Sequence, residues 1–408
     1  MKKLYSFSTF ILLTLFLFSN FSFSQAPTIE SVTSFTDEGT KKIGDQIELK
    51  VIFSESVTVT GTPQLTLETG STVADAVVDY SGGSDNILNF MYTVLEGHST
   101  SDLDYMATTS LALNNGTIKA TDDNSDATLT LVAPGSNGSL GEAKNYVIDG
   151  VKPTITGTTI AGNNSTIAVT FSEAVYDTDG GSGALEVGDF ALSISGGTAT
   201  VAATPSSISI DGNVYTLGLT LTGTPDGSET LTVVPSGATA IYDAVANAAS
   251  TTQSNNTVSL NDQVAPTMVI SSTTVSSGTT TNDATIAMKF TSSESTTNLI
   301  AGDITVTNGS IGALSVSGSV YTATLTPDAS GAVTVKISAG AYSDAAGNTN
   351  TVSNTFAWTY DGTLPTITGT TIAGNNSTIA VTFSEAVYDT NGGSGALEVG
   401  DFALSISG

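Results

Sequence analysis

Residues 153–196 recur at 365–408 with a single change, Asn391 standing in the later copy where Asp179 stands in the earlier one. The copies lie 212 residues apart, about twice the roughly 100 residues of one β-sandwich. A segment that is copied must fold in the same way each time, so the chain reads as sandwich modules in series, two kinds alternating within each period. Punctuation agrees with this reading. Asp149 is followed by Pro153, Asp262 by Pro266 and Asp361 by Pro365, and proline resists continuation of a central strand while stiffening a short connection. The expected modules are therefore 25–151, 152–264 and 265–363, with 364–408 the opening of a fourth. That opening stops where its upstream copy continues to Asp262. It is expected to be a piece of a longer reading frame, a half-sandwich with open strand edges and an uncovered apolar face.

The local pattern is all β. Ile47, Leu49, Val51 and Phe53 alternate with polar residues, as do Ile167, Val169 and Phe171, and Phe356, Trp358 and Tyr360. Between such runs lie Ser81-Gly82-Gly83, Asn114-Asn115-Gly116, Asp211-Gly212-Asn213 and Pro225-Asp226-Gly227, residues that favour tight reversals. No amphipathic helical period emerges beyond the N-terminus. There, Lys2 and Lys3 precede an apolar stretch over 10–18, and Ser22 and Ser24 precede Gln25, the pattern of a secretory signal peptide spanning 1–24. No later stretch approaches the roughly 20 apolar residues of a membrane helix, so a secreted chain without a transmembrane segment is expected.

Composition removes several function classes. There is no cysteine, which excludes a disulfide framework, a thiolate metal site, a cysteine nucleophile and a lipid-modified N-terminal cysteine. All ten basic residues are lysines. Beyond Lys2 and Lys3, eight of them face 38 acidic residues, a formal charge of −30. Nucleic-acid binding is excluded by the missing basic face and the missing guanidinium fork. The acidity fits a solubility surface, or oxygen ligands for divalent cations.

Two short strings recur in modules that otherwise differ. Phe53-Ser54-Glu55 returns as Phe171-Ser172-Glu173 and Phe383-Ser384-Glu385, with a variant from Phe290 to Glu294. Asp344-Ala345-Ala346-Gly347-Asn348 is echoed by Asp243-Ala244-Val245-Ala246-Asn247 and loosely by Asp122-Asp123-Asn124. In a seven-strand sandwich the first string falls in the B–C loop and the second in the F–G loop. Both loops sit at the end where the module begins, facing the last aspartate of the module before. The first joint would thus gather Asp149, Glu173, Asp243 and Asn247, and the second Asp262, Glu294, Asp344 and Asn348. Asp361 and Glu385 would open a third. Four oxygen-bearing side chains suit Ca²⁺, which takes 6 to 8 oxygen ligands and would lock modules end to end. The competing reading is turn chemistry, since Asp and Asn before glycine bond their own backbone; no EF-hand loop is present.

Enzyme chemistry finds little support. His98, the one histidine, lies in Glu96-Gly97-His98-Ser99 and is expected as a solvated turn residue. Paired carboxylates could act as acid and base, yet residues copied in successive modules serve module architecture rather than one active site. Trp358 and the tyrosines could stack on sugars, but their alternation places them in the core. Residues 153–263 contain no lysine, so a lysine–asparagine crosslink is impossible there.

The first module, with Val57-Thr58-Val59-Thr60-Gly61-Thr62-Pro63, Ser101-Asp102-Leu103-Asp104-Tyr105 and Ile148-Asp149-Gly150, resembles a bacterial immunoglobulin-like repeat of very large secreted proteins. The third, with residues 321–327 and Asp344 to Asn348, resembles the immunoglobulin-like repeats of biofilm-associated adhesins. The signal peptide followed by Gln25 is similar to those of secreted Bacteroidetes proteins. These resemblances imply a tandem surface stalk that projects a distal adhesive or enzymatic domain and is often stiffened by calcium. The expected function is a structural or adhesive stalk, its partner a surface ligand or polysaccharide not specified by the sequence. The alternative is a set of accessory or carbohydrate-binding modules of a secreted hydrolase whose catalytic domain lies elsewhere.

Overall fold

The computed structural model describes residues 25–296 and 298–407; the signal peptide expected over 1–24 lies outside the described residues. The chain packs as two compact units. Among the described residues, one runs through Val258 without 196–199 and 222–229, and those two segments join the residues from Ser259 onward in the other.

In the first unit the leading strands are β1 (Ile29–Ser34), β2 (Gln46–Phe53), β3 (Val77–Ser84), β4 (Ile87–Thr93) and β5 (Tyr146–Asp149). β1, β2, β4 and β3 are neighbours in one sheet. Alternation decides their faces: Ile47, Leu49, Val51 and Phe53 are fully buried against Phe90, Tyr92 and Tyr146, so a one-residue slip of β2 would turn all four to solvent. β5 closes this module as the middle strand of a second, short sheet, parallel to Gly39–Lys42.

The same unit continues with β6 (Ile155–Ile160), β7 (Thr166–Phe171), β8 (Phe190–Ser195), β9 (Val214–Gly218) and β10 (Thr230–Pro235). β6, β7 and β9 are antiparallel neighbours, and β8 pairs with β10. Between the two sheets lie Ile167, Val169, Phe171, Phe190, Tyr215, Leu217, Leu231 and Val233, all buried. Two stacked antiparallel sheets with alternate residues turned inward make a β-sandwich.

The second unit repeats the plan with β11 (Met268–Ser272), β12 (Ile286–Ser292), β13 (Ile304–Thr307), β14 (Val320–Pro327), β15 (Gly331–Ile337) and β16 (Phe356–Tyr360). β11–β12–β14 form one sheet and β16–β15–β13 the other. Ile286, Met288 and Phe290 face Val333, Val335 and Ile337 across the core, with Trp358 beside them at 2% exposure. Buried there, Trp358 offers no surface for stacking on a sugar. After β16 the strands among the described residues are β17 (Ile367–Ile372) and β18 (Ile379–Phe383), an antiparallel pair.

Helix is confined among the described residues to Leu140–Ala143 and three single 3₁₀ turns. His98, expected in solvent, is 5% exposed. Its Nδ1 accepts hydrogen bonds from the Tyr92 hydroxyl at 2.9 Å and the Leu95 N–H at 3.2 Å. Its carbonyl accepts from the Gly150 N–H, and its ring stacks on Tyr92. Polar neighbours in sequence pointed outward; the two donors waiting inside outweighed them. Burial pushes the His98 pKa down, with Asp75 pulling the other way.

Candidate cation sites at the linker aspartates

Each module begins with a reciprocal pin that sequence inspection did not reveal. The threonine after the leading proline and the serine before the glutamate bond each other twice. Thr28, Thr154, Thr267 and Thr366 donate their N–H groups to the hydroxyls of Ser54, Ser172, Ser293 and Ser384 at 3.1, 3.0, 2.9 and 2.9 Å. Each serine N–H returns a bond to the carbonyl of its threonine. The glutamate that follows is therefore fixed at the end of its strand beside the incoming linker. The signal was present as the recurrence of Pro-Thr upstream of Ser-Glu, but it gains meaning only when the two ends of the first hairpin meet.

The F–G string folds as a tight loop around its aspartate. Asp344 Oδ1 accepts from the Gly347 and Asn348 N–H groups at 2.7 and 2.9 Å, and Oδ2 accepts from Asn348 Nδ2 at 2.9 Å. Asp243 Oδ1 likewise accepts from Val245 and Asn247 N–H, and its Oδ2 from Asn247 Nδ2. Gly347 sits at φ +96° and its counterpart Ala246 at φ +76°. The turn demands the left-handed region, which glycine reaches freely and alanine at a cost.

The asparagines reach from this loop to the linker. Asn348 Nδ2 also donates to the Asp262 carbonyl at 3.2 Å, and Asn247 Nδ2 to the Asp149 carbonyl at 2.8 Å. Asn247 Oδ1 is taken by the Ile43 N–H at 3.0 Å. Through their amide nitrogens both side chains tie the linker backbone to the loop.

The carboxylates do converge. Asp262, Glu294 and Asp344 place one oxygen each within 4.8 Å of one another. The ion pairs described for this chain lie elsewhere, at Lys42, Lys50, Lys119, Lys144 and Lys152. Burial, then Asp262 and Asp344, push the Glu294 pKa up. Asp344 moves the other way: burial opposes its charge, but donors from Asn348, Gly347 and Ala346 outweigh it. In the first unit, burial and then Asp243 and Asp149 raise the Glu173 pKa to about 7. Burial also raises Asp149, helped by Asp243 and opposed by the Val151 N–H. That set is looser, since among the described residues only Asp262, Glu294 and Asp344 meet the 4.8 Å spacing. At the third position Glu385 Oε1 is buried with no hydrogen-bond partner, while Asp361 Oδ1 accepts from the Thr363 N–H. Residues 364–408 supply no counterpart of Asp243. Converging carboxylates without a cation repel one another, and a hard divalent cation with flexible oxygen coordination suits the second set best.

Residues 262–360 match the family model of a bacterial Ig-like domain. This is the sandwich that carries Glu294, Asp344 and Asn348, and it begins on Asp262. Among solved structures, an invasin described as a bacterial integrin-binding protein aligns at 14% identity and TM-score 0.30, over 88% of this chain and 68% of its own. A putative membrane-anchored protein from Corynebacterium diphtheriae aligns at 9% identity and TM-score 0.18, over 81% and 91%. No curated protein matches the chain. Among the described residues no helix is long and apolar enough to cross a membrane.

Proposed function

We propose that this chain is a non-catalytic array of Ig-like modules from a secreted or surface-attached bacterial protein. Its sandwiches act as spacers, and Ca²⁺ ties each linker aspartate to the module that follows. The observation carrying this reading is the carboxylate set Asp262, Glu294 and Asp344 within 4.8 Å, built by loops whose arrangement recurs around Asp149, Glu173 and Asp243 in a module of different sequence. Asp262, Glu294 and Asp344 would hold the ion through carboxylate oxygens, and Asn348 would hold Asp262 and Asp344 in place. Bound there, the cation supplies the positive charge the three carboxylates lack and restrains the linker. Calcium is favoured over magnesium because three carboxylates of unequal reach suit 6 to 8 ligands better than a strict octahedron.

The test is thermal unfolding of residues 25–408 in excess chelator, in 10 mM Ca²⁺ and in 10 mM Mg²⁺. Binding to the folded state alone raises stability by mass action, so the midpoint of the 262–360 module should rise in Ca²⁺ and rise less in Mg²⁺. Equal midpoints in chelator and Ca²⁺ would refute the cation and leave the aspartates as turn residues.

A further inference from the structure

The two copies 153–196 and 365–408 differ at one position, Asp179 against Asn391. That position is one whose side chain bonds the preceding module. Asp179 Oδ1 accepts from Lys42 Nζ at 3.4 Å, with the two side chains 66% and 33% exposed. Asp179 is carried by a small loop over 177–183. The Asp177 N–H donates to the Gly183 carbonyl at 3.4 Å and the Thr178 N–H to the Ser182 carbonyl at 3.1 Å. The later loop keeps both bonds, from Asp389 to Gly395 at 3.3 Å and from Thr390 to Ser394 at 3.1 Å. Aspartate and asparagine have the same shape, so the exchange leaves the loop as it is and removes its charge.

The residue opposite changes as well. In the first module Lys42 ends the strand Gly39–Lys42, in parallel register with Asp149 at the end of β5. In the third, Thr280 and Thr281 stand parallel to Thr359 and Tyr360 of β16, and the Asp361 N–H donates to the Thr281 carbonyl. Asp149 and Asp361 each lie four residues before the proline of the next module. Asn282, the residue after Thr281, therefore holds the place of Lys42. The linker repeats the pattern: Lys152, paired with Glu96 at 2.7 Å, has Leu364 as its counterpart. Where the preceding module loses its cation, the copied loop loses its anion. An aspartate kept there would add an uncompensated charge to a joint already lined with carboxylates.

We propose that the loop over 177–183, and its copy over 389–395, is a docking surface that reads the strand end of the preceding module. It presents an acid where that strand ends in lysine and a neutral amide where it ends in asparagine. Lys42 and Asp179 belong to neither carboxylate set, so the pairing stands apart from calcium. An exposed ion pair shifts an equilibrium by roughly fivefold at most. Its use is discrimination: a matched neighbour gains a little, and a neighbour of like charge is opposed.

The test follows opening of the first joint in residues 25–408, in excess chelator and low salt. The Ile43 N–H donates to Asn247 Oδ1 at 3.0 Å across this joint, so its exchange, taken relative to the intrinsic rate, reports opening. Lys42→Glu and Asp179→Lys each set like charges opposite one another and should each speed exchange roughly threefold or more. The double reversal should return protection to within roughly twofold of wild type, and the coupling should vanish in about 1 M salt. Lys42→Asn combined with Asp179→Asn, the pair of the third joint, should also protect Ile43 better than Lys42→Asn alone. Additive effects of the two reversals, or equal exchange in Lys42→Asn with and without Asp179→Asn, would overturn the proposal. So would acceleration over 87–93 equal to that at Ile43, which places the effect inside the first module and not at its joint.

Discussion

Glu294→Gln provides a test in which the sign of the effect reverses with conditions. Glu294, Asp262 and Asp344 hold carboxylate oxygens within 4.8 Å. At that separation and an effective dielectric between 20 and 80, each like-charge pair costs roughly 1–3 kcal/mol. Glu294 is only partly buried, so screening favours the low end, about 1–2 kcal/mol for its two pairs together. Neutralising it in chelator should therefore stabilise the 262–360 module by that amount, a rise of roughly 5–10 °C for a domain of about 100 residues. Calcium should reverse the order. With a dissociation constant on the order of 10⁻⁴–10⁻³ M, as in extracellular modules, 10 mM Ca²⁺ adds about 1.4–2.7 kcal/mol to the wild type by mass action. The variant, lacking one ligand and one charge, should gain little. Trp358, the one tryptophan of the chain and buried in this module, reports its unfolding by fluorescence. Identical responses to Ca²⁺ in wild type and variant would refute the reasoning, as would a variant less stable than wild type in chelator.

Four further outcomes are expected. The first module should lose stability as pH falls through about 6.5, because buried His98 has a lowered pKa. Below that pH the unfolded chain binds a proton the folded one resists, so stability is fullest above it; amide protection over 87–93, taken relative to the intrinsic exchange rate at each pH, should fall on acidification, and His98→Gln should flatten the slope. Phe290→Ala removes a fully buried ring and should cost roughly 3–5 kcal/mol, seen as a lower denaturant midpoint for Trp358. Asn247→Ala strands the Ile43 N–H and frees the Asp149 carbonyl; a loss of roughly 1–3 kcal/mol is expected, with faster exchange at Ile43. Ala246→Gly relieves an alanine at φ +76° and should stabilise by roughly 0.5–1 kcal/mol, measured by urea denaturation.

The sandwich fold was legible because two signals agreed. The copy at 153–196 and 365–408, with its single change, required repeated modules, and the period-2 runs such as Ile47 to Phe53 required strands with one buried face. The placement of Glu173, Glu294, Asp243 and Asp344 at the leading ends of their modules followed from chain direction alone. What remained hidden depends on which atoms meet. Asparagine carries a donor and an acceptor on one amide, and sequence does not say which end faces the linker; the carbonyls of Asp149 and Asp262 decide it. His98 looked solvated because Glu96, Gly97 and Ser99 are polar, while the donor that buries it, Tyr92, belongs to the preceding strand. The looser first carboxylate set and the tighter second one share the same strings, and the difference lies in backbone offsets that residue names do not encode.

The Asn247 and Asn348 bonds to the linker grip a main-chain carbonyl, a group every residue possesses. A module joined in this way asks of its predecessor a main-chain carbonyl and one aspartate placed four residues before a proline, to which the Lys42–Asp179 ion pair is added at the Asn247 joint. Apart from that pair, such a connector is indifferent to order, so gene duplication can lengthen the array without any other interface having to be reinvented. Length becomes a trait that selection can adjust in whole-module steps.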